Sequence, residues 1–176
     1  MAFEMFLEFP NPATTPNGST RVTGESVDKV HPNAIPVTGV SFGVENTTSI
    51  GSATGGAGAG KAKFDALEIT KNVDASTPYL FSLVGTGSHL SDAALFARKS
   101  GAPTDYLVYR FKLVVVQQIK WSGANGDRAP EETLTLEFGA MQVSYTPVSA
   151  NGTPQKAITQ TWNQLTNSST LEVPGT

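Results

Sequence analysis

The sequence predicts a mainly β chain with one short helix, on three observations. Apolar residues alternate with polar ones through most of the chain, the period-two pattern of half-buried strands. Punctuation by 17 Gly and 11 Pro favours turns and short strands over long helices. A single segment, Thr77–Gly85, combines helical spacing with helix start and stop signals.

The first strand is carried by Phe3, Met5, Leu7 and Phe9, which alternate with Glu4, Phe6 and Glu8. Residues 10–19 hold three prolines and an Asn-Gly step, so they read as a loop. A second strand is expected over Ile35–Glu45, with Val40, Phe42 and Val44 on one face. Its other face carries Gly39, Ser41 and Gly43. Such small residues let something approach closely or keep a space open.

Residues 46–60 are rich in Gly, Ala, Ser and Thr and end in Gly58-Ala59-Gly60-Lys61. An unstructured loop of that length in a compact domain is usually functional. Strand pattern resumes over Lys61–Lys71 through Phe64, Leu67 and Ile69. In the helix, Thr77 is the expected N-cap with Ser76 as the alternative, Pro78 opens the first turn, and Gly85 closes the last. Tyr79, Leu80, Leu83 and Val84 form its apolar stripe.

The second half reads as successive strands at 92–99, 106–121, 131–146 and 157–162, joined by Gly- and Pro-containing turns. In the third of these, Leu134, Leu136 and Phe138 are even-numbered, whereas Met141, Val143 and Tyr145 are odd-numbered. A bulge near Gly139-Ala140 is the economical account of that parity change. Residues 165–176 read as a weakly ordered tail. The expected organisation is one domain over 1–165, containing the 46–60 loop, followed by a tail over 166–176.

Composition argues against most chemistry. Charged residues are 15% of the chain, the net charge is −3, and no basic footprint for nucleic acid is present. Cysteine is absent, which removes disulfides, a thiol nucleophile and cysteine metal sites. His31 and His89 stand alone in expected loops and read as solvated or structural. Gly55-x-x-x-x-Gly60-Lys61 resembles a phosphate loop, but Ala62 stands where a hydroxyl should hold magnesium, and a strand follows instead of a helix. The acids Asp65, Glu68, Asp74, Glu131, Glu132 and Glu137 are scattered, with no visible acid–base pair. No catalytic constellation, cofactor site or metal site is expected. Neither a secretory signal nor a membrane span is expected either.

The order Gly24-Glu25-Ser26-x-Asp28-x-x-His31, Ile35-x-Val37 and Ser41-x-Gly43 resembles the opening of the Hcp family, the haemolysin-coregulated tube proteins of type VI secretion. The likeness continues through Gly58-Ala59-Gly60-Lys61, Ile69-Thr70-Lys71 with Asp74, and Ser76-Thr77-Pro78-x-Leu80. It includes Ala97-Arg98-Lys99, Glu132-x-Leu134-x-Leu136-x-Phe138, Val143-x-Tyr145-x-Pro147 and Trp162-Asn163, spanning about residues 1–165. The resemblance implies a small, tail-tube-like β-barrel of two antiparallel sheets with one flanking α-helix.

It also implies a non-enzymatic function: hexameric rings of this chain stacking into the inner tube of a contractile injection apparatus. A sheath, a spike protein and small effectors would be the partners. Assembly in the cytoplasm would precede export without a signal peptide, and membrane insertion is not expected. In this picture Gly51, Gly55, Gly56, Gly58, Gly60 and Lys61 are the candidates for ring stacking. Gly39, Ser41 and Gly43 are the candidates for the lumen wall. Two alternatives stay open: a tube protein of a related phage-like contractile system, and a stand-alone β-sandwich binding or adaptor module presenting Trp121, Tyr79 and Tyr109.

Overall fold

A computed structural model describes residues 3–15, 18–46 and 61–173. Twelve strands and one helix lie among them: β1 (Phe3–Glu8), β2 (Ala13–Thr15), β3 (Gly18–Thr20), β4 (Ile35–Val37), β5 (Gly39–Ser41), β6 (Val44–Asn46), β7 (Ala62–Phe64), β8 (Leu67–Asn72), α1 (Thr77–Thr86), β9 (His89–Lys99), β10 (Leu107–Ser122), β11 (Glu131–Tyr145) and β12 (Ile158–Asn163). The chain is a mainly β barrel with one flanking helix, as expected.

The long strands β10 and β11 belong to two antiparallel layers. At one level the order is β4-β1-β9-β10-β11-β12, with Met5 opposite both Val37 and Ala97, and Tyr145 opposite both Leu107 and Ile158. At the other level β10 and β11 continue into β8 and β5, with Leu134 opposite Ile69 and Ile69 opposite Val40. One short segment closes the barrel. Residues 35–37 pair with β1, residues 39–41 pair with β8, and Thr38 joins them by donating its amide (2.8 Å) and hydroxyl (3.0 Å) to the Thr70 carbonyl.

Inside, Leu7, Ile35, Leu67, Ile69, Leu80, Leu83, Leu90, Leu95, Phe111, Val114, Leu134 and Leu136 are each at most 1% exposed. Burial of this apolar surface, at about 25 cal/mol per Å², is the main stabilising term.

Local departures from the sequence reading have physical causes. The expected loop over 10–19 contains a small hairpin, β2–β3, because Ala13 is buried against the barrel. Strand 35–45 is three short strands, since the chain changes partner at Thr38 and leaves the barrel after Ser41. The helix N-cap is Ser76; the Thr77 hydroxyl instead accepts from the Asp74 amide at 3.2 Å and from Lys71 Nζ at 3.3 Å. Gly85 lies within α1, and Gly87 ends it at φ 64 by donating to the Val84 carbonyl.

The parity change near Gly139 is real, but the ladder does not slip there. Lys112 pairs with Ala140 and Val114 with Phe138, while Leu113 between them adopts φ 51. Both strands turn over at the same level, so register survives. The register shift falls between Val116 and Gln118 of β10. Residues 165–173 are tied down rather than weakly ordered. Asn163 accepts from the Leu165 and Thr166 amides and donates to the Glu172 carbonyl at 2.7 Å, and Val173 is buried.

Candidate assembly surfaces

The segment Gly24–Ala34 is a tight hairpin held against the outer face of β1 and β9. Backbone bonds run from the Gly24 amide to the Asn33 carbonyl, from Ser26 to Ala34, and from Asn33 back to Ser26. A side chain at Gly24 would place its Cβ 2.5 Å from the Ala34 carbonyl oxygen, so the close approach requires glycine. Within the turn, Ser26 Oγ accepts from the Asp28 amide, and Asp28 Oδ1 accepts from the Val30 and His31 amides at 2.8 and 2.9 Å.

Two buried charged or polar groups then fasten this hairpin. His31 is 3% exposed and lies between the rings of Phe6 and Phe96, with centroids 4.9 and 4.4 Å away. Its Nδ1 stands 2.8 Å from Glu8 and its Nε2 3.0 Å from Asp105. Arg98 is 4% exposed and pairs with Asp28 and Glu4. Hydrogen bonding from Arg98, with further help from the His31 amide, holds the Asp28 carboxyl well below the usual carboxylate range. The same bond raises the Arg98 guanidinium above its ordinary value. The side chains of the Gly-Glu-Ser-x-Asp-x-x-His run are therefore structural fasteners. Glu25 belongs to the set, accepting from the Ala75 amide at 3.1 Å.

At its tip the hairpin presents two valines and a lysine outward. Val27 is 97% exposed and Val30 51%, with Lys29 between them also exposed. Backbone pairing of Val27 with Pro32 fixes the tip.

A second ionic cluster anchors α1. Lys71 and Glu132 are both fully buried, 3.2 Å apart, and Lys71 Nζ also donates to Asp74 at 2.8 Å. Glu132 accepts from Trp121 Nε1 at 2.8 Å, which fixes an indole that is half exposed. Phe81 of α1 is 61% exposed and its ring lies 6.2 Å from that indole.

The third surface is the end of the six-stranded layer. The Gln164 amide donates inward to Gly139, while the Asn163 amide donates outward to Ser168. Strand alternation therefore turns the Thr159 and Thr161 amides outward, away from β11. Neither has an acceptor among the described residues. This edge, Ile158-Thr-Gln-Thr-Trp-Asn163, carries no charge and no proline, the usual guards against strand addition. Beside it, a cleft of about 450 Å³ opens between the β6–β7 hairpin and β11–β12, lined by Val44, Phe64, Met141, Val143 and Trp162 among others.

The residues singled out from sequence fall as follows. Gly39 and Ser41 are register partners of Thr70 and Glu68, whereas Val40 pairs with the buried Ile69, so the small residues turn away from the core. Gly43 is held close to Asp65; a Cβ there would meet Oδ2 at 2.8 Å. Lys61 is exposed just before β7, beyond the Asn46–Ala62 pair. Gly51, Gly55, Gly56, Gly58 and Gly60 lie outside the described residues. Tyr109 and Trp121 are twelve positions apart on one strand, roughly 40 Å at strand rise, so they build no common groove with Tyr79. Tyr109 packs edge-on to Phe42 at 5.1 Å, and burial, then Tyr106, pushes its phenol up. The structural reading of His31 holds, but in a buried clamp; His89 is exposed at the start of β9.

Sequence reasoning missed Arg98, Asp28, Lys71 and Glu132 as buried partners. Only the long-range pairing of β1 with β9 and of β8 with β11 brings them together. Among the described residues, no helix is long and apolar enough to cross a membrane, and no group of three or more His, Cys, Asp or Glu could hold a metal ion.

A family model described as "Type VI secretion system effector, Hcp" matches residues 6–145. Protein hcp1 of Pseudomonas aeruginosa is 34% identical over 154 residues, covering 86% of this chain and 88% of that protein. A solved type six secretion system protein superposes with a TM-score of 0.85 at 26% identity, covering 96% of this chain and all of the other. Hcp1 from Salmonella typhimurium gives 0.74, also at 26%, over 97% of this chain and all of that one. With the family pattern spread across the barrel rather than confined to one motif, this chain belongs to the Hcp family of type VI secretion tube proteins.

Proposed function

We propose that the chain is the repeating subunit of hexameric rings that stack into the hollow inner tube of a type VI apparatus. On this reading the tube leaves the cell with the spike, driven by the contractile sheath, and carries small effectors in its bore. The observation that carries it is the open edge of β12. A six-stranded layer ends there in outward amides, with no charged guard and an apolar cleft alongside. A layer whose two ends differ is suited to head-to-tail contact, which closes into a ring when the rotation fits.

The subunit needs no chemistry for this task. His31, Arg98, Lys71 and Glu132 are each absorbed in holding surface elements. The face of Gly39, Ser41 and Gly43 is assigned to the lumen, where small side chains keep the bore wide. Lys61, with Gly51, Gly55, Gly56, Gly58 and Gly60, is assigned to contact with the next ring.

Mass photometry and negative-stain imaging from micromolar concentration upward test this directly. Annular particles of six copies are expected. A single copy at every concentration would exclude the tube reading.

A further inference from the structure

The clamped hairpin over 24–34 and the cleft beside β12 are matched in chemistry and placed at opposite ends of one layer. We infer that the Val27–Val30 tip of one copy seats in the cleft of the adjacent copy, between its β6–β7 hairpin and its β11–β12 pair. This rests on the ring reading and adds the contact that closes it.

The tip is preorganised. Ser26, Asp28 and His31 point into the protein and are hydrogen-bonded, so the intervening Val27, Lys29 and Val30 are held outward on a fixed backbone. A surface valine at 97% exposure gains nothing from that rigidity in an isolated copy. In a docked copy the ordering cost has already been met, which is what makes a rigid apolar tip an effective anchor.

The cleft has the complementary character. Val44, Phe64, Met141, Val143 and Trp162 give it an apolar wall with little polar lining, and Val44 itself is 62% exposed. Glu45, between the cleft-lining Val44 and Asn46, turns away from the cleft and pairs with Lys63 at 3.5 Å, so the seat itself is apolar.

Topology makes the contact one between copies. The tip covers Phe6 and Phe96, which alternate with the core residues Leu7 and Leu95, so it stands on the outer face at the β1–β9 end. The cleft lies on the inner face at the β12 end, because Trp162 pairs with Met141 and Met141 with the buried Phe111. β1 and β12 are four strand spacings apart, about 19 Å, and the two features face opposite sides of the layer. One copy cannot bring them together. Successive copies can, with the inner face at one end overlapping the outer face at the next, a heterologous contact that propagates around a ring.

The absence of native cysteine makes the test clean. Val27→Cys and Val44→Cys are made singly, mixed, and oxidised with oxidised glutathione. The expected product is a covalent dimer from the mixture, in excess of either variant alone. The Val27→Cys/Val44→Cys double variant should give a ladder of covalent species ending at the ring. Val27→Asp, at an exposed position, should leave the melting temperature unchanged and lower the ring population about tenfold or more. Rings of the parent protein that persist with Val27→Asp and give no mixed cross-link would overturn this contact while leaving the ring reading intact. A parent protein that forms no ring at all would instead remove the reading on which the contact rests.

Discussion

Arg98 and Asp28, 70 positions apart in sequence, form a guanidinium–carboxylate pair on the outer face of the barrel, Arg98 buried and Asp28 half-buried, and Arg98 lies 5.2 Å from the ring centre of Phe6. The pair is the main fastening between β9 and the exposed hairpin that precedes β4. Its energetics reach the surface directly, because Asp28 also accepts the two amides that shape the tip.

This pair predicts a specific acid sensitivity. The folded state lowers the Asp28 carboxyl, chiefly through the Arg98 hydrogen bond, so the unfolded chain binds the proton more readily. The resulting stability is fully present above the ordinary aspartate value of about 3.9 and is lost as pH falls through the folded value. Melting temperatures of the parent protein should therefore drop steeply below about pH 4. Asp28→Asn should start lower at neutral pH and show a shallower acid limb. Parallel acid limbs for the two proteins would refute the assignment.

The Lys71–Glu132 pair predicts strong non-additivity. Both side chains are fully buried, so removing Lys71 leaves Glu132 uncompensated, whereas removing Glu132 leaves Lys71 with Asp74. Lys71→Met should cost about 3–5 kcal/mol in urea unfolding. Lys71→Met/Glu132→Leu should cost less than the single change, since two apolar residues of similar volume replace an ion pair. Trp121 keeps its acceptor in Lys71→Met and loses it in the double variant, a difference its fluorescence should report. A double variant as unstable as the sum of the singles would mean the two charges do not act as a pair.

These clusters also show where sequence reading stops. Alternation located β1, β8, β9 and β11 because each has one face on a single core. It did not show that residues of the opposite face are buried too, as with Phe6 and Arg98 under the hairpin. Lys71 and Glu132 do fall on the core face, in line with Ile69 and Leu134, but as charges they read as strand ends until α1 is in place. Likewise, the parity of β11 revealed a local inversion, but only the ladder shows that Leu113 of β10 absorbs half of it. The candidate site divided the same way. The resemblance to the family rested on Gly24, Glu25, Ser26, Asp28 and His31, whereas the exposed Val27 and Val30 between them carried no pattern at all.

Gly24 offers a sharper test of the hairpin's geometry. Gly24→Ala sets a methyl against the Ala34 carbonyl and the Ile35 Cα, both backbone atoms that cannot rotate away. A loss of about 1–3 kcal/mol is expected. The damage should be local, with the Val27 and Val30 amides exchanging hydrogen faster than those of β10. Wild-type stability in this variant would mean that the hairpin shifts freely and is not the fixed platform described above.

The glycines of 46–60 predict a separation of ring closure from ring stacking. If that segment docks closely on the next ring, Gly58→Trp should leave annular particles intact and abolish stacked tubes in negative stain. Normal tubes would count against assigning the segment to stacking.

The free edge of β12 supports the most discriminating backbone test. Thr161 donates its amide outward, so Thr161→Pro removes one unpaired donor while leaving the hydrogen bonds to β11 in place. Its side chain accepts one bond from Gln142 at 3.1 Å, and the loss of that contact is common to a Thr161→Ala control. Gln160→Pro, by contrast, removes an amide that points into the ladder and should destabilise the fold itself by about 3 kcal/mol or more. An edge used for strand addition between copies requires Thr161→Pro to melt near Thr161→Ala yet fail to form rings. If both variants form rings equally well, the outward amides play no part in assembly, and closure must come from side chains alone.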